Sequence, residues 1–304
     1  MTVVGPVVAE SKAVVRENYD VSVDDTVYVN VKHVYREKGK SKGAVLMVHG
    51  GWHTNSFYDL DDNSKYSLQE YLAKNKFDTY ALDLRGCGKS YKSDYVWYSQ
   101  IRIEDFAADI HAVIEDIHAK GYEDIYVIGH SIGAVSSIFY AAEYAETDEL
   151  DGLVLLGTPF SELAIDPELE AQFRQAAENY PVIPCDPALI EPFFFAEGMV
   201  KDKVLEHASE IILQEVIGST VLLQVLDFEV TEKAAEINAE LPVLIIQAGL
   251  DALITTQDAM NLYLALGCGE NDDLQVYGGH GHDILLEKNS KKVYSDIKDF
   301  LKSI

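Results

Sequence analysis

Ser131 stands between two glycines in "YVIGHSIGAV" (residues 126–135), where strand-forming residues give way to small ones suited to a helix. At such a junction G-x-S-x-G is a nucleophile elbow: the turn is so tight that only small residues fit around the serine, whose hydroxyl stands above the end of the sheet. A serine hydroxyl is a weak nucleophile until a base takes its proton, so a histidine must come within reach. Of the nine histidines, two lie in "YGGHGHDILLE" (277–287), after the last strand-like run. The chain order serine, acid, histidine that accompanies an elbow of this kind points to that segment. His282 is preferred, because Gly-His followed by Asp and an apolar run places it at a loop end entering a helix; His280 then reads as a loop residue. The acid that orients the imidazole belongs on a loop after an earlier strand, and "VLIIQAGLDALI" supplies Asp251. Asp258 is a rival, read as a solvated carboxylate on the next helix, and Glu162 or Asp166 are lesser alternatives.

Acyl transfer also needs donors for the oxyanion of the tetrahedral intermediate. The N–H of Ile132, directly after the serine, is one candidate. The loop after "VLMVHGG" supplies the other, with Gly51 preferred and Trp52 second, since glycine lets a backbone approach substrate closely. His49 reads as a structural hydrogen-bonding residue rather than a base.

The elements that must position these residues follow from the hydrophobic pattern. Residues 13–38 alternate apolar and polar, which predicts an antiparallel hairpin. Continuous apolar runs at 43–51, 77–86, 124–130, 150–159, 241–249 and 273–279 predict buried strands of a parallel sheet. Amphipathic stretches such as "IEDFAADIHAVIEDIHAKG" separate most of them, so the chain predicts an α/β fold with a doubly wound, mostly parallel sheet. From about 160 to 240 that rhythm stops, and only helix-like segments with a Pro-rich stretch between them are legible. A structureless connection of that length is foreign to a compact domain, so a helical cap is expected there. The domain expectation is a core formed by 1–159 and 241–304 with a cap or lid at 160–240.

At this point the chain resembles the α/β-hydrolase family over nearly its whole length. The matching pieces are His-Gly-Gly-Trp (49–52), Asp-Leu-Arg-Gly-Cys-Gly-Lys-Ser (83–90), Gly-His-Ser-Ile-Gly (129–133), Gly-Leu-Asp (249–251) and Gly-His-Asp (281–283). The resemblance implies a triad of Ser131, Asp251 and His282, no cofactor and a lid over the site. It also makes "DLRGCGKS" a structural loop, with no catalytic part for Asp83 or Arg85. Related dehalogenases and epoxide hydrolases carry aspartate at the elbow, and the serine disfavours both. "GCGKS" lacks the full G-x-x-x-x-G-K-S spacing of a phosphate loop.

Composition narrows the partners. A formal charge of -27 disfavours nucleic acid and anionic lipid, which need a cationic surface. Three cysteines without a Cys-x-x-Cys pair argue against a disulfide framework or a zinc site, and no metal is expected. Neither a signal peptide nor a membrane span is read, so a cytoplasmic protein is expected, its oligomeric state open. The expected substrate is a small-molecule ester with an apolar moiety. "EPFFFAEGM" and "IILQEVIGSTVLLQVL" in the insertion suit a pocket lining or ordinary cap packing equally, and Trp52 and Phe160 are the residues expected to touch substrate. The expected activity is that of a serine esterase or lipase-like hydrolase working through an acyl-enzyme. Lactones, thioesters and amides stay open as substrates, as does a non-hydrolytic binder or lyase of the same fold.

Overall fold

Five of the six apolar runs form the centre of an eight-stranded sheet in the order β1-β2-β4-β3-β5-β6-β9-β10; the sixth, 273–279, becomes the edge strand and is only partly covered, not buried as expected, because a single strand flanks it. The computed structural model describes residues 13–60, 64–90, 95–144, 150–208, 216–228, 230–267 and 272–304. In chain order the strands are β1 (Val14–Ser22), β2 (Tyr28–Arg36), β3 (Ala44–Val48), β4 (Asp78–Leu82), β5 (Ile125–His130), β6 (Gly152–Leu156), β7 (Val182–Pro184), β8 (Val216–Gly218), β9 (Val243–Ala248) and β10 (Asp273–Tyr277). β1 and β2 form the expected antiparallel hairpin, β2 runs antiparallel to β4, and the remaining neighbours in the sheet are parallel.

Every residue of β3, β5, β6 and β9 is buried. Because strand side chains alternate, each strand feeds two cores. Ala44, Leu46 and Val48 join the core on one face, together with helices Ile103–Ala119, Ile132–Glu143 and Thr256–Ala265. Val45 and Met47 join the core on the other face, with helices Leu68–Lys74 and Ser290–Ser303. Burial on both faces is why these strands read as unbroken apolar runs.

The carboxyl ends of β3 and β5 are neighbours, with Val48 opposite Gly129. The chain leaves β3 for β4 on one side and later returns to β5 on the other, so a crevice opens at the carboxyl edge between them. The loops carrying residues 49–53, 131 and, farther along the same edge, 249–251 and 278–282 all leave the sheet there.

Between β6 and β9 the insertion is helical, as expected, with helices Pro167–Asn179, Pro187–Phe194, Asp202–His207, Ser219–Leu226 and Val230–Ala234. It also contains a small antiparallel pair, β7 with β8, that the pattern did not foretell. Three residues per strand are too few to show a period, and "VIG" merges with the helical run after it.

Candidate active site

At the elbow, Ser131 has φ 53° and ψ -121°, a region that costs a residue other than glycine on the order of 1–3 kcal/mol. The corner is held by backbone: Ser131 N–H donates to Leu156 O at 2.8 Å, and Ser131 O accepts from Ala134 and Val135. Both flanking glycines are sterically required. A Cβ on Gly129 would lie 2.5 Å from Ala134 Cα, and one on Gly133 would lie 2.3 Å from Val48 O. Any larger residue would push the helix off the sheet.

The structure brings His282 and Asp251 together. His282 Nδ1–H donates to Asp251 Oδ2 at 2.7 Å, and both side chains are buried. Asp251 Oδ1 accepts from the backbone amides of Leu253 (2.8 Å) and Ile254 (3.0 Å), which fixes the carboxylate and leaves Oδ2 for the ring. His282 Nε2 is buried without a hydrogen-bond partner. Burial works against a charged ring here, but the Asp251 carboxylate, with Asp283 adding to it, holds His282 above its ordinary value. Gly157, at φ 53°, passes so close that a Cβ would lie 3.1 Å from the His282 ring.

Two other histidines, at the elbow and at the loop after β3, are committed elsewhere. His130, inside the elbow, is fully buried, donates from Nε2 to His282 O (3.2 Å) and stacks on Phe57; burial drives it far below its usual range. His49 donates from Nδ1 to Gly50 O (2.8 Å) and accepts at Nε2 from Leu84 N–H (3.2 Å), while burial lowers it to about 3. It is a neutral ring with both nitrogens in use.

Two expectations need correction. Asp258 is buried, not solvated, and it accepts from the amides of Phe160, Ser161 and Glu162, pinning the loop after β6. Phe160 is consequently drawn into the core, 3% exposed, while Pro159 and Leu163 on either side face the cavity. His280 lies in its loop as expected but is buried, donating to Glu287 Oε2 at 3.0 Å. Glu287 also accepts from Gly281 N–H and from Ala196 N–H of the insertion, so it binds the histidine loop to the residues above it.

Ser131 opens into a cavity of about 120 Å³ between the sheet edge and the insertion. Trp52 and Ile132 line it from the core side; Phe173, Phe194, Leu222 and Leu226 line it from the insertion. Trp52, held at φ 62°, donates from Nε1 to Ile183 O at 2.9 Å, which ties the loop after β3 to β7. Gly51 abuts the elbow, a Cβ there falling 2.7 Å from Ile132 Cδ1. Cys185 is on the wall, but burial pushes its thiol up to about 11, which leaves it protonated and a poor nucleophile. Cys87 and Cys185 are free thiols, and Cys268 lies outside the described residues.

Asp83 accepts from the amides of Asn55 and Lys89, and Arg85 is paired with Asp109 and Asp105. The "GCGKS" turn is thus filled by its own protein contacts. Among the described residues, His53, His130 and Asp283 are the one group of histidines and acids close enough to share a cation. Their facing nitrogens are already engaged, His53 Nε2 with Asp283 and His130 Nε2 with His282 O. This buried pair of His53 and Asp283 was not singled out from the sequence, although His53 directly follows the His-Gly-Gly-Trp motif and Asp283 directly follows His282.

Sheet order, the strained elbow and the helices on both faces define a hydrolase of the α/β-hydrolase fold. The chain belongs to the family described as serine aminopeptidase, S33, which matches residues 39–289. A soluble variant of monoglyceride lipase from Saccharomyces cerevisiae, solved with a substrate analog, superposes with a TM-score of 0.73 at 17% identity, over 98% of this chain and 99% of its own. A thermophilic esterase from Thermogutta terrifontis gives 0.71 at 18% identity, over 94% and 98%. A monoacylglycerol lipase from Paleococcus ferrophilus gives 0.68 at 19% identity, over 96% and 99%. At such identities the likeness is one of fold. No curated protein sequence matches the chain significantly. Among the described residues no helix is long and apolar enough to cross a membrane.

Proposed function

We propose that the protein is a serine hydrolase that cleaves carboxylic esters with an apolar acyl group. The observation that carries this reading is the Asp251–His282 pair at 2.7 Å with Nε2 uncommitted, on the same carboxyl edge of the sheet as a strained serine that opens on an apolar cavity. Ser131 Oγ attacks the ester carbonyl while His282 Nε2 takes its proton; Asp251 holds the tautomer and stabilises the imidazolium. The N–H groups of Gly51 and Ile132 receive the oxyanion. His282 then returns the proton to the departing alkoxide, and water, activated the same way, releases the acid from the acyl-enzyme. Residues 160–240 act as the cap, with 1–159 and 241–304 as the core.

A cavity of about 120 Å³ lined mainly by apolar side chains suits an apolar acyl chain of limited length. Medium-length acyl chains are therefore the favoured substrates. The test is labelling with a fluorophosphonate probe together with turnover of p-nitrophenyl esters from acetate to palmitate. Labelling at Ser131 with kcat/KM peaking near octanoate or decanoate is the expected result; absence of labelling would overturn the reading. Asp186 is the one carboxylate among the described residues lining the cavity. Faster cleavage of aminoacyl p-nitroanilides, lost on Asp186→Asn, would move the substrate class from esters to amino-terminal peptides.

Two further outcomes follow from the geometry. Since His282 must be neutral to accept a proton and is held above its ordinary value of about 6.5, kcat/KM should rise with pH through a midpoint above that value and then level. A midpoint below it in the pH–rate profile would exclude His282 as the base. Gly157→Ala, by displacing the ring, should lower kcat by about 10- to 100-fold with the fold retained, as judged by circular dichroism.

A further inference from the structure

Behind the loop that follows β3 lies a pair of side chains the reaction above does not use. The side chains of His53 and Asp283 are both wholly buried. His53 Nε2 meets the two carboxylate oxygens at 3.1 and 3.2 Å, and Nδ1 lies 2.6 Å from Gly51 O. A carbonyl only accepts, so Nδ1 donates to Gly51 O, and Nε2 shares a proton with the Asp283 carboxyl group in a buried, hydrogen-bonded pair. Burying two ionisable groups is expensive, and such pairs are weak ground for stability, so the pair asks for another account.

The account lies in what its two ends hold. His53 clamps the carbonyl of Gly51, a residue whose own conformational preference is the weakest of any. The peptide before it is anchored too: Gly50 O accepts from His49 Nδ1 at 2.8 Å and from His53 N–H at 3.3 Å. In a trans peptide the C=O and the following N–H point in opposite directions, so anchoring Gly50 O aims the Gly51 N–H away from His49 and His53. Asp283, at the other end, is the chain neighbour of His282, and its own N–H donates to Phe194 O of the insertion at 2.7 Å. We propose that His53 and Asp283 are positioning residues: their buried pair holds the oxyanion loop and the His282 loop in one frame, so that Gly51 N–H and His282 Nε2 address the same substrate carbonyl. This inference rests on the triad assigned above.

The test is a double-mutant cycle of His53→Gln and Asp283→Asn, assayed with p-nitrophenyl octanoate and with a trifluoromethyl ketone as a transition-state analogue. A frame that serves the transition state predicts a loss of about tenfold in kcat for each single variant, with KM within about twofold and the ketone weakened by the same factor as kcat. Because the two act as a unit, the double variant should be no worse than the poorer single. The pH profile adds a readout that simple loosening would not move. The titratable groups facing His282 are Asp251, Asp283 and His130, with His53 across Asp283. Asp283→Asn removes a negative charge and should shift the acid limb to lower pH; His53→Gln leaves that charge unpaired and should shift it to higher pH. If a single variant does not fold, the double variant, which buries no lone charge, carries the kinetic test. Wild-type kcat in the double variant, or a loss confined to KM, overturns the inference. Persistence of activity and labelling in Ser131→Ala would instead overturn the triad itself, so the two failures are distinguishable.

Discussion

Ser131→Ala is expected to lower kcat by about a millionfold, the loss seen when the nucleophile of a serine triad is deleted, and to abolish fluorophosphonate labelling. The size follows from the proposed role: without Oγ no acyl-enzyme would form, and only substrate binding and the oxyanion donors would remain to assist attack by water. Folding should survive, because the corner is held by the Ser131 backbone, through Leu156 O on one side and the amides of Ala134 and Val135 on the other. A second substitution separates chemistry from strain. At φ 53° and ψ -121° a glycine is at ease where serine is not, so Ser131→Gly should be equally inactive yet more stable by on the order of 1 kcal/mol. Urea unfolding of the three proteins measures the second effect and ester turnover the first. Hydrolysis surviving in either variant would place the nucleophile elsewhere.

The elbow was legible in the sequence because its requirement is local: no residue with a Cβ fits at 129 or 133, and that demand is written in five consecutive positions. The parallel strands were legible for a similar reason, burial on both faces leaving β3, β5, β6 and β9 apolar but for His130 and Gln247. Asp258 was misjudged because a helical period tells which face a residue occupies but not what a distant loop does there; the amides of residues 160–162 arrive from about a hundred positions away and bury it. Phe160 followed from the same contact. The pair of His53 and Asp283 spans 230 residues and joins two motifs, each of which is complete without it, so neither motif announces it. The β7–β8 pair is too short to carry a period at all.

Asp251→Asn should lower kcat by about ten thousandfold while leaving the fold intact, and the reason lies in which atom the backbone already owns. Oδ1 of Asp251 accepts from the amides of Leu253 and Ile254, so in the variant the amide oxygen must take that place. The side-chain NH₂ then falls where Oδ2 stood, facing His282 Nδ1 and, at 3.4 Å, the Gln247 Nε2 donor. A donor at that position turns Nδ1 into an acceptor and moves the ring hydrogen to Nε2, the atom that receives the Ser131 proton in the proposed mechanism. The base is present and in place, but in the wrong tautomer. Its ionisation changes as well. Burial alone lowers a histidine, and the Asp251 carboxylate is the main group holding His282 up, so the acid limb of kcat/KM should move to lower pH as the plateau collapses. Opposite signs on plateau and midpoint are specific to losing an orienting carboxylate. A fall in plateau with an unmoved midpoint would mean that Asp251 only supports the loop, and full activity would assign the acid to another residue.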